Sequence, residues 1–580
     1  MEERWSLNEL YASFDDQNFQ CDIEKLKNIL EDMKKYPFLE CTYEHLKAYL
    51  KQENESEDLL ERLFSFVNLH MSVDTHNEEA LKYFSLLEGI IASFADSLAL
   101  IQKWVAKFSF ENIDDKDIKE HLFILQEIKK QSQYLLDEKS EMVLANMKRT
   151  GSSAWLQYKD QLISSLMIDI DHQSYPLTEV LNMAYSQDKE IRKKAYEAEI
   201  EAYKDIELGV ASALNAIKGE AITIAQMKGY DSVLQRTLVD SRMSQKTLDV
   251  LLSTMQKSLS MFEKFHRLKA KYLGYANGLP WYELYAPLIK TDHSYPYSKG
   301  CEFVVEQFSS FSKNLGDYAR KAIDQHWIDV YPREGKVTGA FCSNLHCIKE
   351  SRFLLNYGNE FGDVVTMAHE LGHGFHGHCL NQQTALNAQY PMPIAETAST
   401  FCETIVKKAA LKGATEHQKI MILENELTDC AQVIVDIYSR FLFESRFIEK
   451  RKDGPLSVHE IKELMLEAQK EAYGNGLDHQ YLHPYMWTWK PHYYEVDYAF
   501  YNFPYAFGLL LAKGLYGLYQ KDEKNFYLTY ERFLSLTGKM DLIDVGKSVG
   551  IDLEDENFWQ NSIDMIQKDI DLFEEVLKKL

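Results

Sequence analysis

Apolar residues recur at three- and four-residue intervals along most of this chain, the spacing that turns one side of a helix toward a core. Residues 6–150 carry the pattern almost without interruption, as in Ile23–Leu30 and Leu59–Val67. It breaks at His172-Gln173-Ser174-Tyr175-Pro176 and returns from about Ser186 to Lys271. This predicts a helical lobe over residues 1–180 and a second, catalytic domain over 181–580. Proline sharpens the division: Pro37 and Pro176 precede Pro280, and the other ten of the twelve run from Pro280 onward. Proline cannot sit inside a helix without breaking it, so the first half reads as long helices and the loops needed for a site gather in the second.

Between Gly335 and Tyr357 the pattern changes. Val337–Cys342 and Phe353–Tyr357 are short, apolar and bounded by glycine or charge, which predicts strands. An extended peptide can add to a sheet edge through backbone hydrogen bonds. Gly339, Ala340, Leu355 and Asn356 are the candidates for such contact, with simple bracing of the next helix as the alternative role.

That next helix is the centre of the chain. Gly362–Cys379 reads GDVVTMAHELGHGFHGHC, an H-E-x-x-H pattern within helical periodicity. Successive helix residues turn by about 100°, so His369 and His373 stand one turn apart on one face. Two imidazoles so placed can grip one metal ion. Catalytic zinc takes three protein ligands and keeps a fourth position for water. Glu370, offset around the helix, can reach that water as a general base.

The third ligand decides the subclass. A metzincin would place glycine and histidine three and six residues after the second histidine; here those positions hold His376 and Cys379. His376 lies about 10 Å along the axis from His369, too far to share the ion, and is expected to pack near the site or touch substrate. Pro391-Met392-Pro393 then breaks the chain, and Ile394–Glu403 opens another helix-compatible run. A helix returning antiparallel would bring Glu396 to the metal and Glu403 behind a histidine, where outer carboxylates commonly fix imidazoles.

The HELGH segment, the E-T-A-S-T-F-C-E segment and the preceding G-K-V-T-G-A-F-C and R-F-L-L-N-Y segments resemble the thimet oligopeptidase and oligoendopeptidase F family of zinc metallopeptidases, the oligoendopeptidase F branch above all. The resemblance is sharp over residues 335–403 and around His492 to Gly508. It implies that His369, His373 and Glu396 bind one zinc ion, that Glu370 is the base, and that Glu403 supports a ligand. It further implies a deep cleft between two helical lobes; with the periodicity and the strand signals, the expected fold is mostly α with a small sheet beside the H-E-x-x-H helix. The run PHYYEVDYAFYNFPYAFG resembles the family's H…Y…Y region, whose tyrosines are seven apart, as Tyr498 and Tyr505 are. His492 matches with one extra residue before Tyr498. Tyr505 is the preferred oxyanion donor, with Tyr498 or His492; such a donor contributes about 3 kcal/mol.

Other features narrow the reading. A net charge of −25 argues against nucleic acid as a partner. The first residues lack the apolar core of a secretion signal, and no run of about 18 apolar residues offers a membrane span. Eight cysteines without a C-x-x-C pair suit reduced thiols, and a cytoplasmic location is expected. Cys342, His346 and Cys347 lack an obvious fourth ligand for a second metal. His479 and His483 repeat the histidine spacing, but Gln480 replaces the glutamate and Pro484 disfavours helix, so they read as a loop near substrate. The expected protein is a zinc endopeptidase of short peptides. A zinc carboxypeptidase or dipeptidase of similar fold, or an inactive peptide-binding scaffold, is the alternative.

Overall fold

The long helices begin where a short polar side chain can satisfy the first free N–H groups. In the computed structural model, which describes residues 3–289 and 294–579, Thr42, Asp188 and Ser244 cap the helices Tyr43–Val73, Lys189–Lys228 and Gln245–Tyr272. The middle one runs 40 residues and stops at Gly229, whose φ of 82° only glycine adopts without strain. Helices dominate throughout, and the strands are few and short. Among the described residues no single helix is long and apolar enough to cross a membrane.

The chain forms two compact units, each gathered from three stretches. One comprises Met1–Lys139, His293–Ala409 and Leu518–Asp552; the other comprises Ser140–Asp292, Ala410–Gly517 and Leu553–Leu580. Their borders are set by long-range packing, whereas the expected division at 180/181 follows chain order.

In the first unit the N-terminal helices close on an aromatic core in which Phe14, Phe19, Phe66 and Tyr83 meet edge to face, tilted or stacked. Leu345 and Leu386, from the second stretch, complete that core. The same unit holds a three-stranded sheet in the order β3-β5-β4, where β3 is Ile328–Asp329, β4 Phe341–Leu345 and β5 Glu350–Leu354. β4 and β5 form an antiparallel hairpin turned at Lys349, which adopts a φ of 58°. Arg352 pins β5 to the N-terminal segment through Ser6 O at 2.6 Å and Glu9 Oε2 at 2.8 Å.

The expected strands are shifted. Residues 337–340 form a loop instead, because Gly335 and Gly339 take φ of 80° and 83° and Val337 N donates to Ser72 O rather than to a strand. Leu355–Tyr357 likewise follow the end of β5.

The second unit is an assembly of helices around a core that includes Tyr203, Leu214, Phe443, Trp487 and Tyr494. The expected break near His172 is a tight hairpin. Its strands are β1, Met167–Ile170, and β2, Gln173–Pro176, with Asp171 and His172 in the left-handed region. Buried charges here are paired, as in Arg192–Glu283 and Lys218–Glu444, both at 2.6 Å.

Candidate metal centre

The H-E-x-x-H helix spans Phe361–Leu380 and starts with a capping box, in which Glu360 and Asp363 satisfy each other's backbone N–H groups. Val364, Ala368, Leu371 and Phe375 are fully buried and fix the inner face. The face one step round carries His369 and His373. The second expected helix forms as Met392–Gly413, with Ile394, Ala398, Phe401 and Cys402 fully buried.

The two helices touch backbone to backbone. A Cβ on Gly372 would lie 2.7 Å from both Ala398 O and Ser399 Cα. Only glycine permits that approach, and the approach delivers Glu396 to the histidines. His369 Nε2 and His373 Nε2 are 3.1 Å apart, and Glu396 Oε2 lies 3.4 Å from the first and 3.5 Å from the second. Donor atoms about 2.0–2.1 Å from a tetrahedral ion stand about 3.3–3.4 Å from one another. The donor set therefore fits a tetrahedral divalent ion without rearrangement. Among the described residues it is also the one group of three His, Cys, Asp or Glu whose donor atoms lie within 4.8 Å of one another.

Electrostatics point the same way. Burial alone would lower the His369 pKa, but Glu396 and Glu403 push it up to about 10. Burial would raise the Glu396 carboxyl, yet His369 and His373 hold it well below the usual range. Two carboxylates thus enclose the imidazoles in a negative potential that a proton or a metal cation can satisfy. Glu370 is 6 % exposed, and burial pushes its carboxyl up against the opposing pull of both histidines.

Each histidine is braced. Glu403 Oε1 lies 2.5 Å from His369 Nδ1, and Lys407 Nζ donates to the other oxygen, Glu403 Oε2, at 3.0 Å. Ser399 Oγ donates to Glu396 Oε2 at 3.2 Å. On the other side, Asn344 of β4 donates from Nδ2 to the backbone oxygen of His373 at 3.1 Å.

Lys407 and Asn344 escaped the sequence reading. Lys407 follows Glu403 by one turn, so an acid-base pair at i, i+4 on a buried face was a usable signal. Nothing local marks Asn344.

Other candidates are placed as follows. His376 is fully buried, pairs through Nε2 with Thr537 Oγ1 at 2.8 Å and stacks on Tyr390 at 4.0 Å; its ring packs behind the site and is closed to substrate. Leu355 is 2 % exposed, and its N–H is taken by Asp329 O. Asn356 spends its amide on Val337 O and Gly339 O, shaping the loop. Gly339 is exposed and Ala340 half-buried, directly before edge strand β4.

The remaining histidine candidates have partners of their own. His483 is buried against Glu199 at 3.2 Å, and His479 pairs with Gly474 O at 2.8 Å. His346 Nε2 lies 3.1 Å from Gln383 O.

His492, Tyr498 and Tyr505 belong to the other unit. Tyr501 joins them: its ring stacks on His492 at 5.2 Å and meets Tyr498 at 6.3 Å and Tyr505 at 6.0 Å edge-on. The sequence reading passed over Tyr501, although it sits three and four residues from the two tyrosines. Burial, with Arg440 and Lys490 nearby, lowers His492 to about 4, so the imidazole is neutral near pH 7. Tyr498 is exposed and Tyr505 half-buried.

Comparison with known proteins places these residues in context. Residues 182–565 match the model of Peptidase family M3, and residues 110–167 match that of Oligopeptidase F. Oligopeptidase PepF of Bacillus subtilis is 23% identical over 100% of this chain and 88% of its own. The chromosomal oligoendopeptidase F of Lactococcus lactis subsp. cremoris is 24% identical over 99% and 97%. A solved structure from Chlamydophila abortus superposes with a TM-score of 0.85 at 22% identity, covering 99% of this chain and 98% of that one. The fold is shared with it.

Proposed function

The chain belongs to peptidase family M3, and we propose that within it the protein is a zinc-dependent endopeptidase that hydrolyses internal bonds of short oligopeptides. It is a metallo-oligopeptidase by family. The observation that carries the finer reading is the spacing of His369 Nε2, His373 Nε2 and Glu396 Oε2, which suits a catalytic zinc with its fourth position open. Zinc there would polarise the scissile carbonyl and lower the pKa of water from 15.7 to about 7.

The chain's own residues do the rest. Glu403 accepts the Nδ1 proton of His369 and so leaves the Nε2 lone pair for the ion. Glu370 takes a proton from the attacking water and returns it to the leaving nitrogen. Gly339, Ala340 and β4, at the outer edge of the sheet, take the peptide backbone. The resemblance of the H…Y…Y segment supports Tyr505, with Tyr498 or His492, as the oxyanion donor. A cytoplasmic setting belongs to this proposal, supported by eight free cysteines.

An internally quenched peptide blocked at both ends tests it. The expected result is cleavage that stops with a chelator and returns with zinc. Cleavage of unblocked peptides alone, one residue at a time, would establish the carboxypeptidase or dipeptidase; binding without any cleavage would establish an inactive scaffold.

A further inference from the structure

Of the two metal-site histidines, His369 is held through its ring and His373 through its backbone. The second hold is unusual. Inside a helix a carbonyl already accepts from the N–H four residues on, so His373 O has no need of another donor. It nevertheless receives Asn344 Nδ2 at 3.1 Å from a different element.

The amide of Asn344 is fixed at its other end too. Asn344 Oδ1 accepts from Ser351 Oγ at 2.8 Å, and Ser351 Oγ accepts from Tyr318 OH at 2.8 Å. Cys342 Sγ also lies 3.6 Å from Asn344 Oδ1. The direction of every bond follows from chemistry. A carbonyl can only accept, so the amide nitrogen faces His373; the amide oxygen must then take the single hydroxyl proton of Ser351, which leaves Ser351 to accept from Tyr318. The result is a one-way relay, Tyr318 to Ser351 to Asn344 to His373, across the Lys313–Asp324 helix, β5, β4 and the H-E-x-x-H helix.

The helix is built to receive this side chain. One turn beyond His373 stands Gly377, where an added Cβ would run into the amide of Asn344. Tyr318 and Ser351 are 5 % and 2 % exposed, so that end of the relay is shielded from competing water, while Asn344 itself is half-buried. Asn344 pairs with Ser351 across the β4–β5 hairpin, and β4 lies at the outer edge of the sheet.

We infer that Asn344 is a positioning residue for the metal centre: its relay locks the backbone of His373 to edge strand β4 and so sets the distance between the ion and a peptide lying on that strand. The inference rests on the proposed metal reading. Metal sites require their ligands to be held within about 0.5 Å of the working geometry; loss of an outer partner of a ligand side chain typically costs about 10–100-fold in metal affinity or activity, and the hold on the His373 backbone is expected to act on the same scale.

The test compares wild type with Asn344→Leu, which keeps bulk and removes both ends of the relay, and with Asn344→Asp, which keeps the acceptor for Ser351 but cannot donate to His373. Zinc affinity is measured by competition with a chromophoric chelator, apo-protein melting by calorimetry, and cleavage positions in a peptide pool by mass spectrometry. Both variants are expected to bind zinc about 10-fold more weakly, to lose 10- to 100-fold in kcat with little change in KM, and to redistribute their cleavage positions. Wild-type zinc affinity and cleavage positions in a folded variant would overturn the inference, whatever the melting temperature. If Asn344→Leu does not fold, Asn344→Asp alone decides on the same readouts. A wild-type protein that binds no zinc would instead overturn the metal reading itself.

Discussion

Gly372 and Ser399 meet where two helices touch, with space for a hydrogen and nothing larger: a Cβ on Gly372 would fall 2.7 Å from Ser399 Cα. This contact is what converts two sequence-distant helices into one donor set. Backbone atoms cannot swing aside as a side-chain tip can, so any added atom must push the helices apart.

Gly372→Ala is therefore expected to destabilise the fold by about 1–3 kcal/mol through overpacking, despite alanine's better helix propensity of about 1 kcal/mol. Glu396 should withdraw from the histidines at the same time. Denaturant unfolding together with metal content after dialysis checks both effects. An alanine variant of wild-type stability that retains one ion per chain would refute the contact as the determinant.

Substitutions at Glu370 and His373 test the proposed base and a proposed ligand separately. Glu370→Gln keeps shape and removes the acceptor charge, so metal should stay at one per chain while kcat drops about 10²–10⁴-fold. His373→Ala removes one of three donors, and stoichiometric metal should be lost along with activity. Elemental analysis beside a quenched-peptide assay distinguishes the two, and retained turnover in Glu370→Gln would exclude it as the base.

Much of this site was legible in sequence because helical spacing is local information. His369 and His373 at i, i+4, and Glu396 and Glu403 at i, i+7, needed only that both segments be helices to share a face; bringing the two faces together needed also an antiparallel return, which the family resemblance supported. The hairpin was less legible. Ser343, Asn344, Glu350, Ser351 and Arg352 are polar, and the burial of Ser351 and Arg352 depends on Tyr318, Ser6 and Glu9, which come from far along the chain. The strands were accordingly expected on the more apolar flanks, at Val337 and Leu355. Asn344 illustrates the same limit: its partner His373 lies 29 residues away, and no periodicity encodes that meeting. The borders of the two compact units were hidden for the same reason, since each draws on three separated stretches.

The helix Tyr43–Val73 supplies a pH-dependent prediction away from the site. Burial, with Glu57 adding repulsion and the Tyr49 hydroxyl opposing, pushes Glu53 up to about 7 from a usual value of 4.5. The folded state thus holds a proton that the unfolded chain releases between those two values. Stability from this group is fully present below pH 4.5, declines as pH rises, and is lost once pH passes 7, a cost of up to about 3 kcal/mol. Glu53→Gln cannot ionise and should escape that loss. The variant is expected to melt above wild type at pH 8 and to lose the advantage at pH 5, where Glu53 is already protonated in the folded protein. Calorimetric melting at the two pH values, in the presence of chelator so that metal binding does not contribute, checks the sign. An advantage that stays constant between pH 5 and pH 8 would mean that Glu53 titrates like an exposed carboxylate.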